Sequence, residues 1–255
     1  MPKNKFPSDC VMPFVVLGDP NYETSLEIII NLIDSGAKAL ELGFPFSDPI
    51  ADGPVIQRAN LRALKNGMTT EKAFNLVQQI REHSPLPISL MLNFNIVLQY
   101  GVDNFYSKCK ELKMNAVLCP DLPLEESKEV IPYAKHHGVG QVFLIAETTS
   151  NDRMEKYARI TSGYCYLVSR LGPTGSQDEL AGKTEELVSR VRQFFDIPTY
   201  LGFGISKPEH VKEALSKGAD GVIIGSHLIE VIEKNLDKNP QEKIALEYKK
   251  FVAKQ

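Results

Sequence analysis

Eight short apolar runs, each followed by a stretch of helical periodicity, constrain the fold of this chain more than any other feature. The runs are MPFVVLG (12–18), AKALELG (37–43), PISLMLNF (87–94), NAVLCPD (115–121), GQVFLIAE (140–147), YCYLVSR (164–170), IPTYLGFG (197–204) and DGVIIGS (220–226). Between them lie amphipathic segments such as SLEIIINLIDSG, TTEKAFNLVQQIREHS, EESKEVIPYAKHHG and KPEHVKEALSKG. Gly36, Gly138 and Gly218 stand where helix C-termini favour glycine, and Thr69 and Thr70 offer an N-cap before Glu71.

Eight strand–helix repeats in a chain of 255 residues predict an α/β fold, a (β/α)8 TIM barrel that forms one domain over residues 1–255. A doubly wound open sheet usually has fewer strands and a glycine-rich turn after the first. Here GDPNYE follows the first run. The long interval between the second and third runs predicts an extra helix, VIQRANLRALKNG, and the last helix, PQEKIALEYKKFVAK, is expected to pack on the outside. A net charge of −3 and a pI near 6.0 argue against nucleic acid or a membrane surface as partner. Cys10, Cys109, Cys119 and Cys165 lack ligand spacing, so they read as reduced thiols and no metal site is expected. The N-terminus has no apolar signal core, and no run is long enough to span a bilayer. A soluble, cytoplasmic protein is expected.

The chemistry concentrates in LELGFPFSDPIADGP (40–54). Glu41 stands among Leu40, Leu42 and Gly43, where packing alone gives no reason for a charge. A stiff loop built on Pro45 and Pro49 then carries Asp48 and Asp52. Barrel enzymes place their sites at the C-terminal ends of the strands. That rule selects Glu41 and the Asp48–Asp52 loop, with Asn93, Asn95, Asp121, Glu147 and Tyr166 to Arg170 at other strand ends. A bland alternative for Glu41 is a core acid paired with a cation, but Arg170 is the only cation at a strand end. A carboxyl in apolar surroundings has a raised pKa, which suits a group that must both give and take a proton.

The seventh and eighth runs end in GFGIS (202–206) and GS (225–226). Barrels commonly bind phosphate there, on backbone N–H groups and a helix N-terminus. Gly204, Gly225 and Ser226 fit that task, with a helix starting near His227. The GPTG loop (172–175) offers Thr174 and Gly175 in a segment long enough to close as a lid. The same glycines would also suit tight turns with no ligand. His136 and His137 read as solvated residues that diverge at a helix end. His227, Lys243, Lys249, Lys250 and Lys254 read chiefly as surface, and Asp19 and Asp121 either organise loops or face the site.

The acid loop, together with LGDP (17–20), DLPLEES (121–127), YLVSR (166–170), PTG (173–175), GFGIS and GS, closely resembles the tryptophan synthase alpha-subunit family over essentially the whole chain. The resemblance implies aldol-type cleavage of indole-3-glycerol phosphate to indole and glyceraldehyde 3-phosphate. Glu41 and Asp52 would be catalytic: Glu41 moves protons, and Asp52 accepts the indole N–H. Phe14 and Tyr166 would wall the ring. Gly202, Phe203, Gly204, Gly225 and Ser226 would bind the rest of the substrate together with Gly175, and Thr174 would reach Asp52 when the lid closes. It implies no cofactor in this chain, since pyridoxal phosphate belongs to the beta subunit. That subunit would receive indole and dock on Asp48, Pro49, Asn95 and Pro123 in an alpha2beta2 complex.

The chain departs from the family pattern at Val16 and Asn93, where polar and tyrosine side chains are usual, and at Glu147, usually proline. Pro173 replaces a small apolar residue before the lid threonine, and Met1 to Cys10 leaves little room for a helix that plugs the barrel bottom in relatives. Two functions fit these residues. One is a working lyase, and the other a catalytically impaired subunit that mainly activates its beta partner. Intact Glu41 and Asp52 favour the first.

Overall fold

The apolar runs do become strands, and every pairing between them is parallel. The computed structural model describes residues 6–49, 52–168, 177–202 and 204–253, with the side chains of 177–183 excepted. The strands are β1 (Cys10–Val16), β2 (Leu40–Gly43), β3 (Ile88–Met91), β4 (Ala116–Leu118), β5 (Gly140–Val142), β6 (Leu144–Ala146), β7 (Cys165–Val168), β8 (Thr199–Gly202) and β9 (Gly221–Ile224). Their spatial order is β5-β4-β3-β2-β1-β9-β8-β7-β6. The two ends of that order are one chain segment. Gly140–Val142 pairs with β4, Leu144–Ala146 pairs with β7, and Phe143 stands between them. The sheet therefore closes into a barrel through Phe143, and the single strand expected over 140–147 is two. Neighbouring strands in a barrel are rotated against one another, so a strand that bends once pairs with each neighbour in turn.

The helices are α1 (Tyr22–Asp34), α2 (Pro54–Lys65), α3 (Thr70–His83), α4 (Phe94–Tyr100), α5 (Val102–Glu111), α6 (Ile131–His137), α7 (Asn151–Ala158), α8 (Gln177–Arg192), α9 (Pro208–Ser216), α10 (Ser226–Glu233) and α11 (Pro240–Val252). The expected extra helix is α2, and Pro54 sits in its first turn, where a missing N–H costs nothing. Thr69 caps α3 by accepting a hydrogen bond from Lys72 N–H at 3.2 Å. Gly138 ends α6 at φ +72°, a left-handed position that favours glycine. Helix α11 lies outside the barrel as expected, yet it is well anchored. Ile244, Tyr248 and Phe251 are buried, and the Tyr248 hydroxyl donates to the Val11 carbonyl at 2.6 Å.

At the N-terminal end of the strands, Phe6 takes the place of a plug. It is 2% exposed, and its ring meets Tyr164 edge-on at 4.7 Å and Tyr200 at 6.2 Å. Among the described residues, this ring packs beneath the barrel floor where relatives are expected to carry a helix. The two histidines of α6 do not diverge. Their rings touch edge-on at 4.8 Å, and His137 Nε2 bonds Asp103 at the start of α5 at 2.7 Å. Among the described residues, no helix is long and apolar enough to cross a membrane.

Candidate active site

Glu41 is 1% exposed and points into the barrel from the middle of β2. Its partner is a phenol and not a cation. Tyr164, just before β7, reaches across the barrel and donates to Glu41 Oε1 at 2.6 Å, and its oxygen lies 3.1 Å from Ser89 Oγ on β3. Ser89 is the register neighbour of Glu41, so β2, β3 and the start of β7 meet at one buried polar point. Burial raises the Glu41 carboxyl from 4.5 to about 7; the Tyr164 hydrogen bond opposes this rise, and the negative charge of Asp52 adds to it.

Asp52 sits in the loop leading to α2, with its backbone N–H donated to the Pro49 carbonyl at 3.0 Å. Burial lifts its carboxyl from 3.8 to about 6, against a hydrogen bond from Asn60 that lowers it. The same Asn60 is 3% exposed. Its Oδ1 accepts the Phe46 N–H at 3.1 Å, and its Nδ2 donates to the Ile56 carbonyl at 2.9 Å and to Asp52 Oδ2 at 3.3 Å. Neither Tyr164 nor Asn60 was among the candidates from sequence. Tyr164 had a signal, since it lies two residues before Tyr166 and strand side chains repeat with period two. Asn60 had none, being one polar residue in an amphipathic helix.

Asp52 and Asn60 line an open cleft with Phe14, Val16, Gly43, Phe44, Pro49, Met91, Leu92, Asn93 and Pro120. Most of its lining residues are apolar, and Asp52, Asn60 and Asn93 bring polar groups to it. Glu41 lies two residues before Gly43 on β2, next to Phe14 in the strand register and away from the cleft surface. Glycine makes this arrangement possible. A Cβ at Gly43 would come within 2.8 Å of the Phe14 ring, and one at Gly202 within 2.2 Å of the Tyr166 hydroxyl. Gly202 therefore leaves room for Tyr166, which is 6% exposed.

Gly204, at φ +78°, is exposed beyond β8, and its carbonyl lies 3.0 Å from His210 Nδ1. Gly225 precedes α10, Ser226 begins that helix exposed, and no side chain caps its first turn. His227 turns away from that end to bond Glu247 on α11 at 2.9 Å. Phe203, Thr174 and Gly175, with Arg170 and Pro173, lie outside the described residues.

Asp48, Asn95 and Pro123 are exposed, whereas Pro49 is buried against the cleft. Glu147 is also exposed, and its backbone carbonyl accepts from Arg190 at 3.2 Å. The two uncertain aspartates organise loops. Asp121 accepts the Phe94 N–H at 2.9 Å, holding the start of α4. Asp19 forms a two-pronged pair with Arg62 at 2.7 and 2.9 Å, and Arg62 also reaches Glu233 of α10 at 2.7 Å. Among the described residues, no group of three His, Cys, Asp or Glu is arranged to hold a metal ion.

The family model of the tryptophan synthase alpha chain matches residues 3–254. This chain belongs to that family. Curated relatives include the tryptophan synthase alpha chain of Methanothermobacter thermautotrophicus, 48% identical over 225 residues, which are 88% of this chain and 83% of that one. The alpha chain of Helicobacter pylori strain Shi470 is 46% identical over 89% of this chain and 86% of its own length. Among solved structures, the alpha2beta2 tryptophan synthase complex of Pyrococcus furiosus contains a chain that superimposes with a TM-score of 0.90 at 36% identity, covering 97% of this chain and 99% of that one.

Proposed function

We propose that this tryptophan synthase alpha chain is a working carbon–carbon lyase that cleaves indole-3-glycerol phosphate to indole and glyceraldehyde 3-phosphate. Breaking the bond requires a proton on indole C3 and removal of a proton from the side-chain hydroxyl. One carboxyl does both if it is near half-protonated at neutral pH. The observation that carries the reading is Glu41: a buried carboxyl held near 7, 1% exposed, with Tyr164 as its hydrogen-bond partner and Asp52 close enough to influence it. Asp52, at the cleft, takes the indole N–H and stabilises the positive charge that grows on the ring as C3 is protonated.

Phe14, on the cleft wall, and Tyr166, packed against Gly202, flank the ring in this reading. Gly204, Gly225 and Ser226 hold the phosphate at the uncapped start of α10, with Gly202 and Phe203 shaping the approach. Thr174 and Gly175 belong to the lid. No metal or organic cofactor enters the chemistry of this chain. Indole passes to a beta subunit carrying pyridoxal phosphate, which docks over Asp48, Pro49, Asn95 and Pro123. Intact Glu41 and Asp52 favour a working lyase over a purely activating subunit. Of the departures, Val16 and Asn93 line the cleft and Glu147 is exposed. Steady-state cleavage of indole-3-glycerol phosphate, with and without the beta subunit, tests the reading. Turnover that the beta subunit accelerates supports it, and stimulation of the beta subunit by a chain without turnover contradicts it.

A further inference from the structure

The loop that carries Asp52 is rich in proline and glycine, and it begins and ends on one side chain. Asn60 takes the N–H of Phe46 at the start of the loop on Oδ1, and it presents Nδ2 to Asp52 Oδ2 at the far end. The orientation of its amide is fixed by chemistry: a backbone N–H must meet oxygen on one side, and the Ile56 carbonyl must meet nitrogen on the other. Asn60 is 3% exposed, which shields its amide from most competing solvent. Among the described residues, the other side chain that bonds Asp52 is the exposed Gln57, and it meets the backbone carbonyl and not the carboxylate. The buried Asn60 amide is the donor that meets the carboxylate.

We propose that Asn60 is the positioning residue for Asp52: it clasps the acid loop end to end and holds the carboxylate at the mouth of the cleft as an oriented, ionised acceptor. One oxygen of Asp52 is occupied by the clasp, and the other is left for the substrate N–H. This inference rests on the lyase reading for its consequence, but the clasp itself is a property of the uncomplexed chain.

The ionisable groups that interact with Asp52 among the described residues are Glu41 on β2 and Tyr166 on β7. Both are acids, so Asn60 supplies the favourable contact for the anion. In Asn60→Ala, Asp52 loses its donor and titrates at higher pH. In the near-isosteric Asn60→Asp, the Phe46 N–H keeps an acceptor while a second acid faces Asp52. Its titration then rises further and spreads into two steps.

The test follows the carboxyl-carbon NMR shift of Asp52 against pH in wild type, Asn60→Ala and Asn60→Asp, assigned by difference from Asp52→Asn. Upward movement in both variants, larger in Asn60→Asp, is expected. An unchanged Asp52 titration in the folded Asn60→Asp protein overturns the proposal. In cleavage assays, Asn60→Ala should lower kcat/KM by about 10²-fold, the scale of a 1 Å misplacement, and the loss should largely vanish in an Asp52→Asn background. An equal loss in both backgrounds also overturns it. A wild-type chain that shows no cleavage, with the Asp52 titration moving as expected in both variants, contradicts the lyase reading and leaves the clasp standing.

Discussion

At Glu41, stability and function pull in opposite directions. A carboxyl that is 1% exposed and titrates near 7 is costly once ionised. Its folded pKa lies above the ordinary 4.5, so its contribution to stability is fully present below about 4.5 and is lost as pH rises through about 7. Removing the charge should therefore stabilise the fold in alkali. Glu41→Gln is expected to be more stable than wild type by up to about 3 kcal/mol at pH 8.5 and nearly equal at pH 4, read by urea unfolding at both values. Equal stability at pH 8.5 would show that the site solvates the anion better than its burial suggests. Both acids were legible in the sequence, because a charge inside LELG and an aspartate on a proline-framed loop lack packing reasons. The groups that tune them were not. Tyr164 is an ordinary strand-edge tyrosine until the barrel closes, and Asn60 becomes a clasp only when the loop folds back on α2.

Among the elements, α2 has the largest role for its length. Its inner face holds the acid loop through Asn60, while Arg62 joins the loop after β1 to α10 through Asp19 and Glu233. The Asp19 side chain is wholly buried, so the pair is not a surface ornament. Arg62→Ala leaves that carboxylate alone in the interior and should cost about 3 kcal/mol at neutral pH. Burial already pushes the Asp19 carboxyl upward, and without Arg62 it protonates more readily, so the loss should shrink at pH 4. Unfolding midpoints of the variant at pH 4 and pH 7.5 check both parts. The sequence marked α2 as an extra helix but said nothing of this bracing. Salt bridges across 43 and 171 positions of chain depend on topology, which local periodicity does not encode.

For the whole molecule, the eightfold alternation was enough to fix the barrel, while two closures depended on packing that pattern alone does not reveal. One is lateral, where the run 140–147 bends at Phe143 to pair with both β4 and β7. The other is the floor, where Phe6 packs edge-on against Tyr164 and Tyr200. Phe6→Ala should cost about 3 kcal/mol by opening a cavity beneath the barrel, and calorimetry should show Tm falling by about 6–12 °C. A smaller fall would mean that the floor collapses around the missing ring. The fold thus keeps a packed interior below and an open cleft above, and Glu41 lies between them. Its part in catalysis is the central claim, and indole release from indole-3-glycerol phosphate by wild type and Glu41→Gln, each with saturating beta subunit, tests it most directly. The account predicts a fall of about 10³-fold or more in the variant with its fold and partner binding intact; a variant that keeps its rate within tenfold of wild type would contradict it.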